Sequence, residues 1–196
     1  MDRFEYVMVL VSIIVGLGVT HILRGIGGII DRRTGYGPPL RLSATHSIWL
    51  AFLFWWMVNF WWWEFRFFEL ETEWSLGLYL FLILYSVSLF LLAVILIPST
   101  WAQVNDVDEF FLARRAWFYS FFLLVAALDV ADSYLKGGWS YILEMGPLTW
   151  ALWVGMAVVC GVGLRTPKLR VHAVGGALLL ALQVIQGFVA VPRLGF

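Results

Sequence analysis

The sequence predicts an all-α polytopic membrane protein, a bundle of six transmembrane helices with both termini on the non-cytoplasmic side. Three observations carry that expectation. Of the 196 residues, 62% are hydrophobic and 13% charged, and the mean hydropathy is +0.86. That leaves too little polar surface to cover a water-soluble globule. The apolar residues fall into six runs, each near the roughly 20 residues that a helix needs to cross a ~30 Å hydrocarbon core. Finally, the basic residues are shared unequally between the two sets of connections that those runs define. One transmembrane domain, residues 1–196, accommodates all six runs.

The runs lie at about 4–30, 44–68, 76–97, 110–135, 147–164 and 171–192. Met1–Phe4 lack the basic n-region and small-residue cleavage site of a signal peptide, so the first run is expected to be retained. Within it Gly18, His21, Gly25 and Gly28 share one side, and Ser12, Gly16 and Thr20 form an adjacent small-residue face. Small-xxx-small spacing lets backbones approach closely, so Gly16, Gly18, Gly25 and Gly28 are candidate helix-packing positions. Asp31–Leu42 holds Gly35, Gly37 and Pro38–Pro39, which end one helix and delay the next.

The second run is the densest in tryptophan: residues 46–74 hold seven of the chain's 12. From Ser47 to Trp63 it has no formal charge, and then acids arrive, as when a helix emerges into a headgroup layer where indole edges are wetted. Trp49, Trp56 and Trp63 share a stripe, beside another of Trp55, Asn59, Trp62 and Arg66. Asn59 is near mid-span and is expected to find an interhelical partner, because an unpaired amide in hydrocarbon is costly. Arg66 is expected to stack on Trp62 or Trp63. The fifth run is interrupted by Gly146–Pro147, which leaves Tyr141–Met145 to lie in the interface. In the sixth, His172, Gly176, Gln183 and Gln186 share a polar stripe that faces protein or water. No internal repeat of matching residues is apparent.

Orientation follows from the basic residues. One face collects Arg24, Arg32, Arg33, Arg41, Arg114, Arg115, Arg165, Lys168 and Arg170, and the other only Arg3, Arg66, Lys136 and Arg193. The positive-inside rule puts the first set in the cytoplasm. Net formal charge is zero, with 13 basic and 13 acidic residues, so no basic face is available for nucleic acid. The single cysteine, Cys160, excludes an internal disulfide and any CxxC redox or zinc motif.

The opening FEYVMVLVSIIVGLGVTHIL, the tryptophan-dense second run, and Arg114–Arg115 followed by Trp117–Phe118 and Asp129 resemble a group of small, uncharacterised bacterial multi-pass membrane proteins. The resemblance covers the first four runs. It implies a bacterial inner membrane and carries no function with it.

Three constellations bear on chemistry. His21, His46 and His172 lie near the cytoplasmic boundary on different helices, where imidazoles could ligate haem or a divalent metal. The plainer reading is that they hydrogen-bond loops or headgroups, and no HxxxH, HExxH or CxxCH pattern supports a metal. An outer acidic cluster, Glu64, Glu69, Glu71 and Glu73 with Asp129 and Asp132, would concentrate cations at a pore mouth. Otherwise it is a solvated rim. Ser12, Thr20, Asn59, Gln183 and Gln186 are candidate pore-lining groups or, alternatively, polar glue between helices. No acid or base sits near the centre of any run, which disfavours an ion-coupled pump. No nucleophile–base pair or metal set of an enzyme is recognisable.

The sequence therefore favours a small passive channel or permease for a cation or small polar solute, embedded in the lipid bilayer as a homo-oligomer. A non-catalytic accessory or scaffold subunit, docking a second membrane protein, is the alternative. A haem- or apolar-cofactor-binding membrane protein comes third.

Overall fold

A computed structural model describes residues 3–35, 39–69 and 74–190. Its helices are α1 (Arg3–Arg33), α2 (Ala44–Glu64), the single turn α3 (Arg66–Glu69), α4 (Leu76–Leu96), α5 (Val107–Glu144), α6 (Pro147–Arg165) and α7 (Leu169–Ala190), with a 3-10 turn at Trp101–Gln103. Local chemistry sets several starts. The Ser43 hydroxyl accepts from the His46 N–H, the Ser75 hydroxyl from the Leu78 N–H, and the Asp106 carboxylate from the N–H groups of Asp108 and Glu109. Each satisfies amides that a helix leaves unpaired at its first turn. Pro147 opens α6, where its missing N–H costs nothing.

Five helices are long and apolar enough to cross a membrane: Phe4–Arg33, Leu76–Leu96, Val107–Glu144, Pro147–Arg165 and Leu169–Val189. This is the make-up of an integral membrane protein. The 21-residue α2 is not among the five. Its six tryptophans, Asn59 and Glu64 lower its hydropathy. Its position explains why the lower hydropathy is tolerated, since α2 touches α1, α4, α5 and α7 and is largely covered by them.

Contact order fixes the relative directions. Phe4 packs on Trp74, Gly18 faces Phe90, Gly25 faces Ile97 and Gly28 faces Trp101, so α1 and α4 run parallel. Gly176 lies against Trp49 and Gly187 against Trp55, so α2 and α7 are parallel too. Asp129 meets Trp153 while Tyr119 meets Gly163, which makes α5 and α6 antiparallel.

The α1–α4 contact depends on missing side chains. A Cβ on Gly25 would stand 2.5 Å from Ile97 Cδ1, and one on Gly28 would stand 2.3 Å from Trp101 Cδ1. The Trp101 ring is pinned there by its Nε1 donating to Gly25 O at 2.9 Å. On Gly18 a Cβ would stand 2.8 Å from Met57 Cε. Gly16 departs from the packing expectation, because a Cβ there meets nothing within 4 Å. Ser12 and Thr20 are exposed beside it. The two small-residue faces of α1 point in different directions, and only the Gly18–Gly25–Gly28 face is used inside the bundle.

The core is an aromatic stack at the α2–α5 crossing. Trp49 meets Phe118, Phe122, Phe52 and Tyr119 at centroid distances of 5.0, 5.4, 5.6 and 5.7 Å, all near edge-on. Such pairs add about 0.5–1.5 kcal/mol each beyond burial. Indoles expected at a headgroup layer thus divide. Trp49 and Trp56 are buried, and Trp61 and Trp62 remain on the outer surface near the end of α2.

The helix α5 is longer than its apolar run. It continues through Gly137–Gly138 to Glu144, with a kink where Gly138 adopts φ 66° and ψ −160°. That conformation is essentially confined to glycine. Tyr141–Glu144 therefore belong to a bent continuation of α5. At the opposite end, Arg32 donates to the carbonyls of Trp101 and Pro39, and Arg41 pairs with Asp106 at 3.1 Å. These contacts tie the 34–43 connection to the 97–106 connection.

Candidate functional site

Between α2, α5, α6 and α7, a cavity of about 330 Å³ lies toward the face where α2 and α5 end and α6 begins. Its volume is in the range of small-molecule sites, about 300–1,000 Å³. Arg66, Tyr141, Glu144 and Gly146 line its mouth, and of these Arg66, Glu144 and Gly146 are exposed. Trp55, Trp56, Trp63 and Trp153 form aromatic walls, and Asn59, Ser133, Thr149, Gln183 and Gln186 supply polar ones. Trp56, Leu152 and Met156 line the apolar deep end. Beyond Trp56 lie Phe52 and Phe122, at centroid distances of 5.5 and 5.8 Å, in the buried aromatic stack. The cavity is a vestibule with an aromatic floor.

Three ionisable side chains are buried beside it, and a fourth, Asp129, is half-buried. Asp132 and Lys136 are one helical turn apart on α5 and form an ion pair, and Lys136 also reaches Glu64 Oε1 at the end of α2, at 3.3 Å. Their side chains are 5% exposed or less. The Lys136 ammonium also sits 5.0 Å from the Phe67 ring centroid. Breaking such a buried pair is costly because the partner's charge is left without compensation. Asp129 is held differently, by neutral donors. Tyr85 Oη donates to Oδ1 at 2.8 Å and Trp153 Nε1 donates to Oδ2 at 2.7 Å. Tyr85 is the tenth of the 21 residues of α4, so this carboxylate is gripped about half-way along a spanning helix.

This corrects an expectation. Glu64, Asp129 and Asp132 are not a solvated outer rim: Glu64 and Asp132 are buried on Lys136, and the half-buried Asp129 is bonded to Tyr85 of α4 and Trp153 of α6. Glu71 and Glu73 lie outside the described residues, as does the side chain of Glu69. Asp129 meets side chains of the tenth residue of α4 and the seventh of α6.

The polar candidates separate into two groups. Asn59, Gln183 and Gln186 gather in the cavity, with Gln186 Nε2 donating to the Thr149 hydroxyl at 2.9 Å. Ser12 and Thr20 lie on the outward face of α1, far from this group in the fold. Among the described residues Asn59 bonds only within its own helix, its Nδ2 donating to Trp55 O at 2.9 Å. That bond satisfies the donor locally and leaves the side chain at the cavity wall. Arg66 stacks over Tyr141, 5.8 Å from the centroid, and not over Trp62 or Trp63 as expected. The α5 kink brings that ring within reach.

The three histidines do not converge. His21 meets the Phe90 ring edge-on. His46 Nε2 is 2.7 Å from Leu96 O, and His172 bonds Tyr119 Oη through Nδ1 at 2.7 Å and Thr166 O through Nε2 at 2.9 Å. Both ring nitrogens of His172 are thus engaged by the protein, which removes it as a ligand. Among the described residues no group of three or more His, Cys, Asp or Glu is placed to hold a metal ion.

Sequence reasoning missed Lys136, Tyr85 and Trp153. The signal for Lys136 was its four-residue spacing from Asp132, which puts both on one helical face. Nothing local marks Tyr85 or Trp153. Comparison of the chain with protein-family models, with curated proteins and with solved structures finds no match.

Proposed function

We propose that this chain is a small-solute permease of the bacterial inner membrane, with the α2–α5–α6–α7 vestibule as its solute-binding site. One observation carries the reading. Asn59, Gln183 and Gln186 come from two helices and meet buried charge in a cavity that opens toward one face. Polar groups are expensive within a bilayer and mark solute paths when they line a cavity. The aromatic floor favours a permease that exposes its site to one side at a time over a continuously open channel. In this reading α2 is the sixth span, and the face rich in arginine is cytoplasmic. The vestibule and both termini then face outward.

Uptake into liposomes reconstituted with the full chain tests it, using a panel of labelled neutral and charged small solutes. At least one solute is expected to enter faster than into empty liposomes, and Asn59→Leu and Gln183→Leu should slow it while leaving the melting profile in place. No protein-dependent uptake of any solute would contradict the proposal.

A second reading has its own support. The outward face of α1 carries Ser12, Gly16 and Gly27 with no covering atoms near either glycine, a surface suited to close helix approach. A homo-oligomer, or an accessory role beside a second membrane protein, would use it. Native mass after gentle extraction separates them: a multiple of 22.4 kDa favours self-association, and mass from another polypeptide favours the accessory role.

A further inference from the structure

Taking the vestibule as a solute site, we infer that its solute is a small primary amine in its ammonium form. The first argument is an imbalance of charge. Two buried carboxylates, those of Glu64 and Asp132, and the half-buried one of Asp129 have a single ammonium among them, that of Lys136. Asp129 is held by a phenol and an indole, which bring no charge. From the other packed elements, α6 and α7 contribute no charged side chain to the lining, and Arg66 and Glu144 are exposed at the mouth. The buried set is therefore short of positive charge, and a buried carboxylate without compensation is costly.

The second argument is an imbalance of hydrogen bonding. Asp132 Oδ1 and Gln183 Oε1, on residues 4% and 8% exposed, have no hydrogen-bond partner among the described residues, and neither has Glu64 Oε2 alongside. All three atoms are acceptors. Asp132 and Gln183 both line the cavity, from different helices. Buried acceptors without donors select a ligand that brings N–H groups. A quaternary ammonium supplies charge but no donor, and a neutral polyol supplies donors but no charge. A primary ammonium supplies both, and the indole walls of Trp55, Trp56 and Trp63 suit a cation and the carbon body attached to it. Among the described residues the acids form no group of three placed to hold a metal, which favours an organic cation over a bare divalent ion.

Three probes that share a hydroxyethyl group and differ in charge and N–H donors test the assignment on the full chain in lipid nanodiscs: ethanolammonium, choline and ethylene glycol. Binding is read by calorimetric titration and by the rise in melting temperature that a ligand of the folded state produces. Ethanolammonium is expected to bind at least about tenfold more tightly than choline, as the loss of charge-assisted hydrogen bonds implies, and ethylene glycol not measurably. Asp132→Asn should weaken ethanolammonium by about tenfold or more and Gln183→Leu by less. If Asp132→Asn fails to fold, the ranking of probes on the unaltered protein and the Gln183→Leu result still decide. Choline or ethylene glycol matching ethanolammonium, or ethanolammonium failing to bind, overturns the assignment. In that last case, protein-dependent uptake of some other solute leaves the permease reading standing, whereas uptake of none removes both.

Discussion

Lys136 is the residue on which the site's electrostatics turn. It lies between Glu64 and Asp132, its side chain 4% exposed. Lys136→Met is expected to destabilise the protein by about 3–5 kcal/mol, since two buried carboxylates would then face each other without a cation. Adding Glu64→Gln to that variant should recover part of the loss, because one of the stranded charges is removed. Thermal melts in detergent check both, and strictly additive losses would contradict the account. Tyr85→Phe deletes one of the two donors to Asp129 and should cost about 1–3 kcal/mol by the same measurement. The sequence made part of this visible. Asp129 and Asp132 are three apart, and Asp132 and Lys136 four apart, so their shared helical face could be read off. Their partners Glu64, Tyr85 and Trp153 are 72, 44 and 24 residues away in the chain and belong to three other helices. No local pattern encodes such separations, and so the acids read as a surface rim.

At the scale of the element, α1 shows how far periodicity reaches. Its spacing defines two small-residue faces, and spacing alone does not say which one meets protein. The neighbour decides: Met57 of α2, Ile97 just after α4 and Trp101 of the 3-10 turn take the Gly18–Gly25–Gly28 face. Gly28→Ala should therefore lower stability by about 1–3 kcal/mol, as overpacking does when a ring must shift. Gly16→Ala should be neutral or slightly stabilising, because the added methyl meets nothing and alanine is the better helix former. Equal melting temperatures for the two variants would contradict the assignment of faces. The helix α5 illustrates the opposite limit. Its apolar run was evident, but its continuation past Gly137–Gly138 was not, because a glycine pair signals a break and also permits a bend. That bend brings Tyr141 over Arg66 and completes the mouth of the vestibule.

For the whole molecule, composition and run length were enough to indicate a helical membrane protein, because the bilayer imposes both. What they left open was α2. Its tryptophans suggested an interfacial belt, and half of that expectation gave way because the most covered helix of a bundle packs its indoles inward. The proposed orientation rests on the distribution of charge and is checked by cysteine accessibility. Thr34→Cys should be labelled from the cytoplasmic side and Ser75→Cys from the outside, each being exposed in a connection, while the fully buried Cys160 stays silent. The central claim is that the buried polar groups line a vestibule reached from one side of the membrane. Sided labelling of Ser133→Cys, a small replacement in the cavity wall, tests it most directly with a membrane-impermeant maleimide. The account predicts reaction only from the side that labels Ser75→Cys. Reaction from neither side of the folded protein, or equal reaction from both, would contradict it.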